Sequence, residues 1–120
     1  ITWEHLDVTA AELPPGPFDL VTAQFLHFSP DQREAVYAAL ATAVAPGGTL
    51  MIVGHHPSDM DAGVGRPRWP EMFFTADELA APLGDEWTIV AADARRRHVD
   101  GPDDTPVTVC DAVLVARRAR

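Results

Sequence analysis

Two apolar runs, Phe18–Ala23 and Thr49–Gly54, flank a segment that carries the marks of one helix. That pattern constrains the fold more than any other part of the chain. Ser29-Pro30-Asp31-Gln32 places a capping serine before a proline at the first helical position, with glutamine three residues after the cap. Val36, Leu40 and Val44, with Ala39 and Ala43, then recur on one helical face. Pro46-Gly47-Gly48 stops the helix at about Ala45. Runs with little alternation fit strands covered on both faces of a parallel sheet. Strand, helix, strand at this spacing is a right-handed crossover unit. The first run passes without a turn residue into Gln24-Phe25-Leu26-His27-Phe28. Such strand-to-loop junctions in an α/β sheet are where ligands sit.

The flanking segments extend the pattern. Ile1 to Val8 alternates like a strand, and Thr9-Ala10-Ala11-Glu12 has capping-box spacing for one helical turn. Pro14-Pro15-Gly16-Pro17 breaks regular structure. Ser58 to Pro70 reads as an irregular loop or lid, with Trp69, Met72, Phe73 and Phe74 at its end. These aromatic residues either roof an acceptor pocket or make ordinary core contacts. Thr75-Ala76-Asp77-Glu78 caps a short helix to about Leu83. Trp87–Ala94 and Val107–Ala116 read as strands, and the His98–Pro106 loop is too short for a covering helix, so they pair antiparallel. The predicted fold is α/β, a mostly parallel sheet with an antiparallel C-terminal strand pair. A chain already in a strand at Ile1 is expected to be a piece of a longer one.

Charge and composition narrow the function classes. At 120 residues and 47% apolar content, one globular domain is expected. The net charge of −9 repels phosphate backbones, so no nucleic-acid partner is expected. No apolar run has the length of a membrane span, so no membrane partner is expected. The single Cys110 fits a reducing, cytoplasmic setting, and its place in an alternating strand makes it core filling. Arg95-Arg96-Arg97 reads as a solvated strand end pairing with nearby Asp residues.

Three segments resemble class I S-adenosylmethionine-dependent methyltransferases. Trp3-Glu4-His5-Leu6-Asp7-Val8 is similar to the family's third strand, and Phe18 through His27 to its fourth strand and loop. Leu40 through Val53, with its Pro46-Gly47-Gly48 turn, resembles the helix and fifth strand that follow. The closing pair, ending Asp111 to Arg118, is similar to the family's reversed last strand. The glycine-rich loop after the family's first strand and the acidic end of its second have no counterpart here. The resemblance therefore implies the C-terminal portion of one Rossmann-like methyltransferase domain over residues 1–120, with the first two strands missing.

It also implies roles. Asp7 and Val8 would meet the adenine of S-adenosyl-L-methionine, although Asp7 could equally cap the turn that follows. Ala23, Gln24 and Phe25 would contact the methionine end and pack on the cofactor. Phe28 is assigned to the core. His27 is the candidate general base, because histidine titrates near neutral pH. His55 and His56 lie on the same rim; adjacent residues of an extended strand point to opposite faces, so at most one joins His27. The catalytic candidates are His27 and His55, and no metal is expected. Methyl transfer often needs only positioning and desolvation of the nucleophile, so a dedicated base is not required. The implied function is methyl transfer to a small, neutral or cationic acceptor as part of a longer chain. The alternative is a non-enzymatic α/β module that self-associates through an exposed strand edge.

Overall fold

The computed structural model describes residues 1–10 and 13–120. Its first regular element is strand β1, Phe18–Gln24, followed by helix α1, Pro30–Thr42, and strand β2, Val44–His55. Gln32 Oε1 accepts from the Ser29 N–H at 3.4 Å and from its hydroxyl at 3.2 Å, and the Arg33 N–H donates to the Ser29 carbonyl at 2.8 Å. The sequence signal for this helix start is thus met by local hydrogen bonding. Helix α2, Ala76–Ala80, strand β3, Trp87–Asp100, and strand β4, Pro106–Arg118, complete the chain. Thr75 and Glu78 exchange the two hydrogen bonds of a capping box at 3.2 and 3.3 Å.

The strand order is β1-β2-β4-β3. β1 pairs with β2 in parallel, whereas β2 with β4 and β4 with β3 are antiparallel. The antiparallel closing pair stands as predicted. "Mostly parallel" does not hold for the described sheet, in which one ladder of three is parallel.

Both helices lie on one face. Val21 and Ala23 of β1, Leu50 and Ile52 of β2, and Ala112 and Leu114 of β4 join Val36, Tyr37, Phe74 and Leu79 in a single buried cluster. Alternate residues point the other way. Leu20 is 59% exposed, Thr22 and Gln24 are exposed, and Met51, Val53, Val113 and Val115 are half-buried. The expectation that β1 is central and covered on both faces is not met among the described residues, where β1 stands at the end of the strand order and is covered on one face.

Three boundaries also differ. Ile1–Val8 forms no strand; it is exposed up to Asp7, with Ile1 and Trp3 almost wholly in solvent, and leads into a 3-10 turn at Val8–Ala10. Alternation defines two faces but supplies no hydrogen-bonding partner, and an unpaired strand gains nothing to offset its ordering entropy. The capping box predicted at Thr9–Glu12 depends on Glu12, which lies outside the described residues. Helix α1 ends earlier than predicted, at Thr42, because the Ala43 carbonyl accepts the Phe18 N–H at 2.9 Å and Val44 already pairs with Phe18. The ladder then shifts register across Pro46-Gly47-Gly48 before Leu20 meets Thr49. Finally, β3 runs six residues past Ala94, its polar end Arg95–Asp100 held by the hairpin partner β4.

Candidate active site

The site lies where β1 and β2 end together. β1 leaves the sheet through Phe25, whose backbone is left-handed at φ 54° although it carries a large side chain. Such a residue is a conformational outlier, and outliers of this kind persist only where surroundings hold them. The Phe25 N–H donates to the Val53 carbonyl at 2.8 Å, which fixes the turn to the end of β2. The Phe25 ring thereby comes to 5.1 Å from the His55 ring, and His27 stacks on the other imidazole at 5.2 Å. Phe73, from the end of the lid, stands 6.1 Å from His55.

His55 is 9% exposed, and its Nδ1 is buried without a hydrogen-bond partner. Burial, then the positive field of Arg66, then His27, lower its pKa from the usual 6.5, against the opposing pull of Asp111 and Asp59. That direction favours the uncharged ring. His56 turns away: its Nδ1 accepts the Ser58 N–H at 3.1 Å and lies 2.9 Å from the Ser58 hydroxyl. Of the adjacent pair, His55 joins His27, within the limit of one that strand geometry set. Among the described residues, no three His, Cys, Asp or Glu side chains stand close enough to hold a metal ion.

Two ion pairs flank the rings. Asp111 is buried, and Arg97 reaches it as a fork, Nε to Oδ2 at 2.6 Å and Nη2 to Oδ1 at 3.3 Å. The Arg97 guanidinium carbon also sits 5.7 Å from the centre of the Phe25 ring. Asp59, 3% exposed, accepts the Cys110 N–H on both carboxylate oxygens at 2.8 and 2.9 Å, and Arg66 donates to it at 3.1 Å. The start of the lid is thus tied to β4. Its far end is tied to α1 by Arg33, which donates to the carbonyls of Glu71 and Phe73 and lies over the Phe74 ring.

Other predicted residues divide. Ala23 is buried, whereas Gln24 and Phe25 are exposed at the strand end, open to a ligand. Asp7 is exposed, and its Oδ1 accepts both the Thr9 N–H at 2.9 Å and the Thr9 hydroxyl at 2.6 Å, which lowers its pKa. Its capping role is therefore realised, and Oδ2 makes none of these bonds. Val8 packs against the core cluster beside α1. Phe28 is buried edge-on to Tyr37, as assigned. Of the lid aromatics, Phe74 is core and Phe73 faces His55, whereas Trp69 is 57% exposed. Sequence reasoning missed Asp59, Arg66, Arg97 and Asp111 as parts of this rim. Arg97 had a faint signal: on one strand Arg95 and Arg97 share a face, and Asp111 in the partner strand can serve only one of them closely.

No protein-family model matches the chain. An uncharacterized methyltransferase of Mycobacterium tuberculosis is 44% identical over 54 residues, a stretch that is 44% of this chain and 27% of the relative. The chain thus spans about a quarter of the length of the curated relatives it matches. TehB from Haemophilus influenzae superposes with a TM-score of 0.73 at 14% identity, over 94% of this chain and 39% of that one. The 1,6-didemethyltoxoflavin-N1-methyltransferase of Burkholderia thailandensis, solved with S-adenosylhomocysteine, gives 0.55 at 21% identity over 92% and 48%. The fold is that of S-adenosylmethionine-dependent methyltransferases. In that fold the edge at β1 and the rim at Phe25, His27 and His55 belong to one sheet end, the end at which α/β sheets bind ligands.

Proposed function

We propose that this chain is the acceptor-side portion of a methyltransferase domain that uses S-adenosyl-L-methionine to methylate a small molecule. The observation that carries the reading is the strand end itself, where a left-handed Phe25 and a buried His55 face each other over 5.1 Å. The exposed Gln24 and Phe25 suit the methionine end of the cofactor, with the Ala23 backbone beneath. Asp7, through its Oδ2, and Val8 suit the adenine. When bound, the cofactor supplies an electrophilic methyl group on a sulfonium. The chain's own residues then orient the acceptor against the Phe25, His27 and Phe73 rings and exclude water. His55, against which His27 stacks, accepts the proton that the nucleophile sheds.

The arginines and aspartates of this rim balance in two 1:1 ion pairs, which suits a neutral acceptor. A net charge of −9 on the chain disfavours nucleic acid. Among the described residues, no helix is long and apolar enough to cross a membrane. The test is calorimetric titration of the full-length protein with S-adenosylhomocysteine. Saturable binding there, absent from residues 1–120 alone, is the expected result; tight binding by residues 1–120 would overturn the division of the site.

One observation favours a second reading, an α/β module that self-associates. The outer edge of β1 lacks a strand neighbour among the described residues, and Phe18 and Leu20 beside it are 44% and 59% exposed. Light scattering at high concentration decides it: a strictly monomeric chain sinks this reading.

A further inference from the structure

We infer that Arg97 is the positioning residue of this rim: anchored by Asp111, it holds the Phe25 ring against His55. Of the Arg95-Arg96-Arg97 run, Arg95 behaves as a solvated strand end should. It pairs with Asp93 at 2.9 Å, and both side chains are about half exposed or more, at 64% and 48%. Arg97 does something different. Its partner carboxylate is 10% exposed and is gripped at two nitrogens, so the guanidinium plane is fixed rather than free to rotate. That fixed plane lies over the Phe25 ring at 5.7 Å, while His55 lies 5.1 Å from the same ring.

The backbone at Phe25 explains why a clamp is needed. An aromatic residue at φ 54° is strained, and the one backbone hydrogen bond to Val53 fixes its N–H, not its ring. The ring's direction is set by the groups that meet it, and Arg97 and His55 are two of them. In register Asp111 stands opposite Arg95, and Arg97 reaches it along the diagonal. Two hairpin strands thus deliver an ion pair to a wall contributed by β1 and β2. The functional meaning rests on the methyltransferase reading, in which the Phe25 ring packs on the cofactor and helps orient the acceptor.

The test uses Arg97→Gln, Arg97→Lys and Asp111→Asn in the full-length protein. By NMR, Arg97→Gln and Asp111→Asn should each abolish the cross-peaks between the Phe25 and His55 rings. Yet they should move the His55 titration in opposite directions. Leaving Asp111 unpaired raises the midpoint, and removing its charge lowers it. A merely structural defect would move both the same way. Arg97→Lys, which keeps the charge but not the planar fork, should leave the His55 midpoint close to that of wild type and weaken the cross-peaks; if Arg97→Gln does not fold, this variant decides. With an acceptor in hand, Arg97→Gln should lower kcat on the order of 10–100-fold while the cofactor Kd moves less. Unchanged ring contacts in Arg97→Gln, or in Arg97→Lys if only that folds, overturn the inference. Absence of methyl transfer by wild type would overturn the functional reading alone, since the ring contacts do not depend on turnover.

Discussion

The two faces of the sheet use the same strands for opposite ends. On the helix-covered face, Leu50, Ile52, Ala112, Leu114 and Ala116 are at most 1% exposed, and α1, α2 and Phe74 close over them. On the open face, one residue along in each strand, Met51, Val53, Val113 and Val115 stay half-buried. Stability is concentrated on the first face. The second leads to a rim of rings and ion pairs, where order is kept by polar anchors instead of apolar packing. A strand can serve both because its side chains alternate with a period of two.

Neighbouring residues of β4 give the most direct way to break this contrast. Leu114→Ala should cost about 3 kcal/mol in urea denaturation, as a fully buried leucine leaves a cavity. Val115→Ala, on the open face, should cost about 1 kcal/mol. Equal losses would mean that the open face is packed as tightly as the covered one.

Gly54 sharpens the comparison at a single point. A Cβ there would run into the Phe74 ring tip, in a ring that is 1% exposed and has nowhere to retreat. Gly54→Ala should destabilise by about 2 kcal/mol through overpacking, measured by the same denaturation, whereas Gly65→Ala in the open lid should be near neutral because nothing meets the added carbon.

The two faces also titrate in opposite senses. Tyr37, the chain's one tyrosine, has a buried hydroxyl without a partner, and burial pushes its pKa up to about 12 from 10.0, with Arg33 opposing. The folded value lies above the unfolded one, so its contribution holds below pH 10 and is lost as pH rises toward about 12. Ultraviolet titration should show a tyrosinate midpoint near the upper value, with the ordinary one returning in denaturant. His55 is displaced downward, so its contribution is present above the usual 6.5 and is lost as pH falls through the lowered value. NMR should find His55 titrating below the usual 6.5. The smallest effect belongs to the solvated edge: Arg95→Ala should change stability by less than about 0.5 kcal/mol.

Sequence signals captured what is local. α1 was legible because its cap, its proline and its apolar face lie within one short window, and β1, β2 and the closing hairpin because apolar runs and short loops leave few pairings. The His27–His55 approach was legible once both were placed at strand ends on one rim. That the arginine run pairs with nearby Asp residues was legible, but which carboxylate Arg97 meets was not. The Arg97–Asp111 ion pair and the Asp59–Cys110 hydrogen bond span 14 and 51 residues and exist only in a particular strand register. Residues 1–8 misled for the complementary reason: alternation reports faces, and a strand needs an edge to join.

The Asp59 carboxylate has a consequence for how the lid can vary. Cys110 gives its carbonyl to the His56 N–H, at 3.2 Å, and its own N–H to Asp59, so a side chain stands in for the next rung of β2. Arg66 closes back onto the same carboxylate. The chain between them, 60–65, is a hoop clasped at its base. Its length and composition can change while the clasp keeps both ends in register with the sheet. Exchange of that short stretch is therefore expected to leave the strand-end rim as it stands.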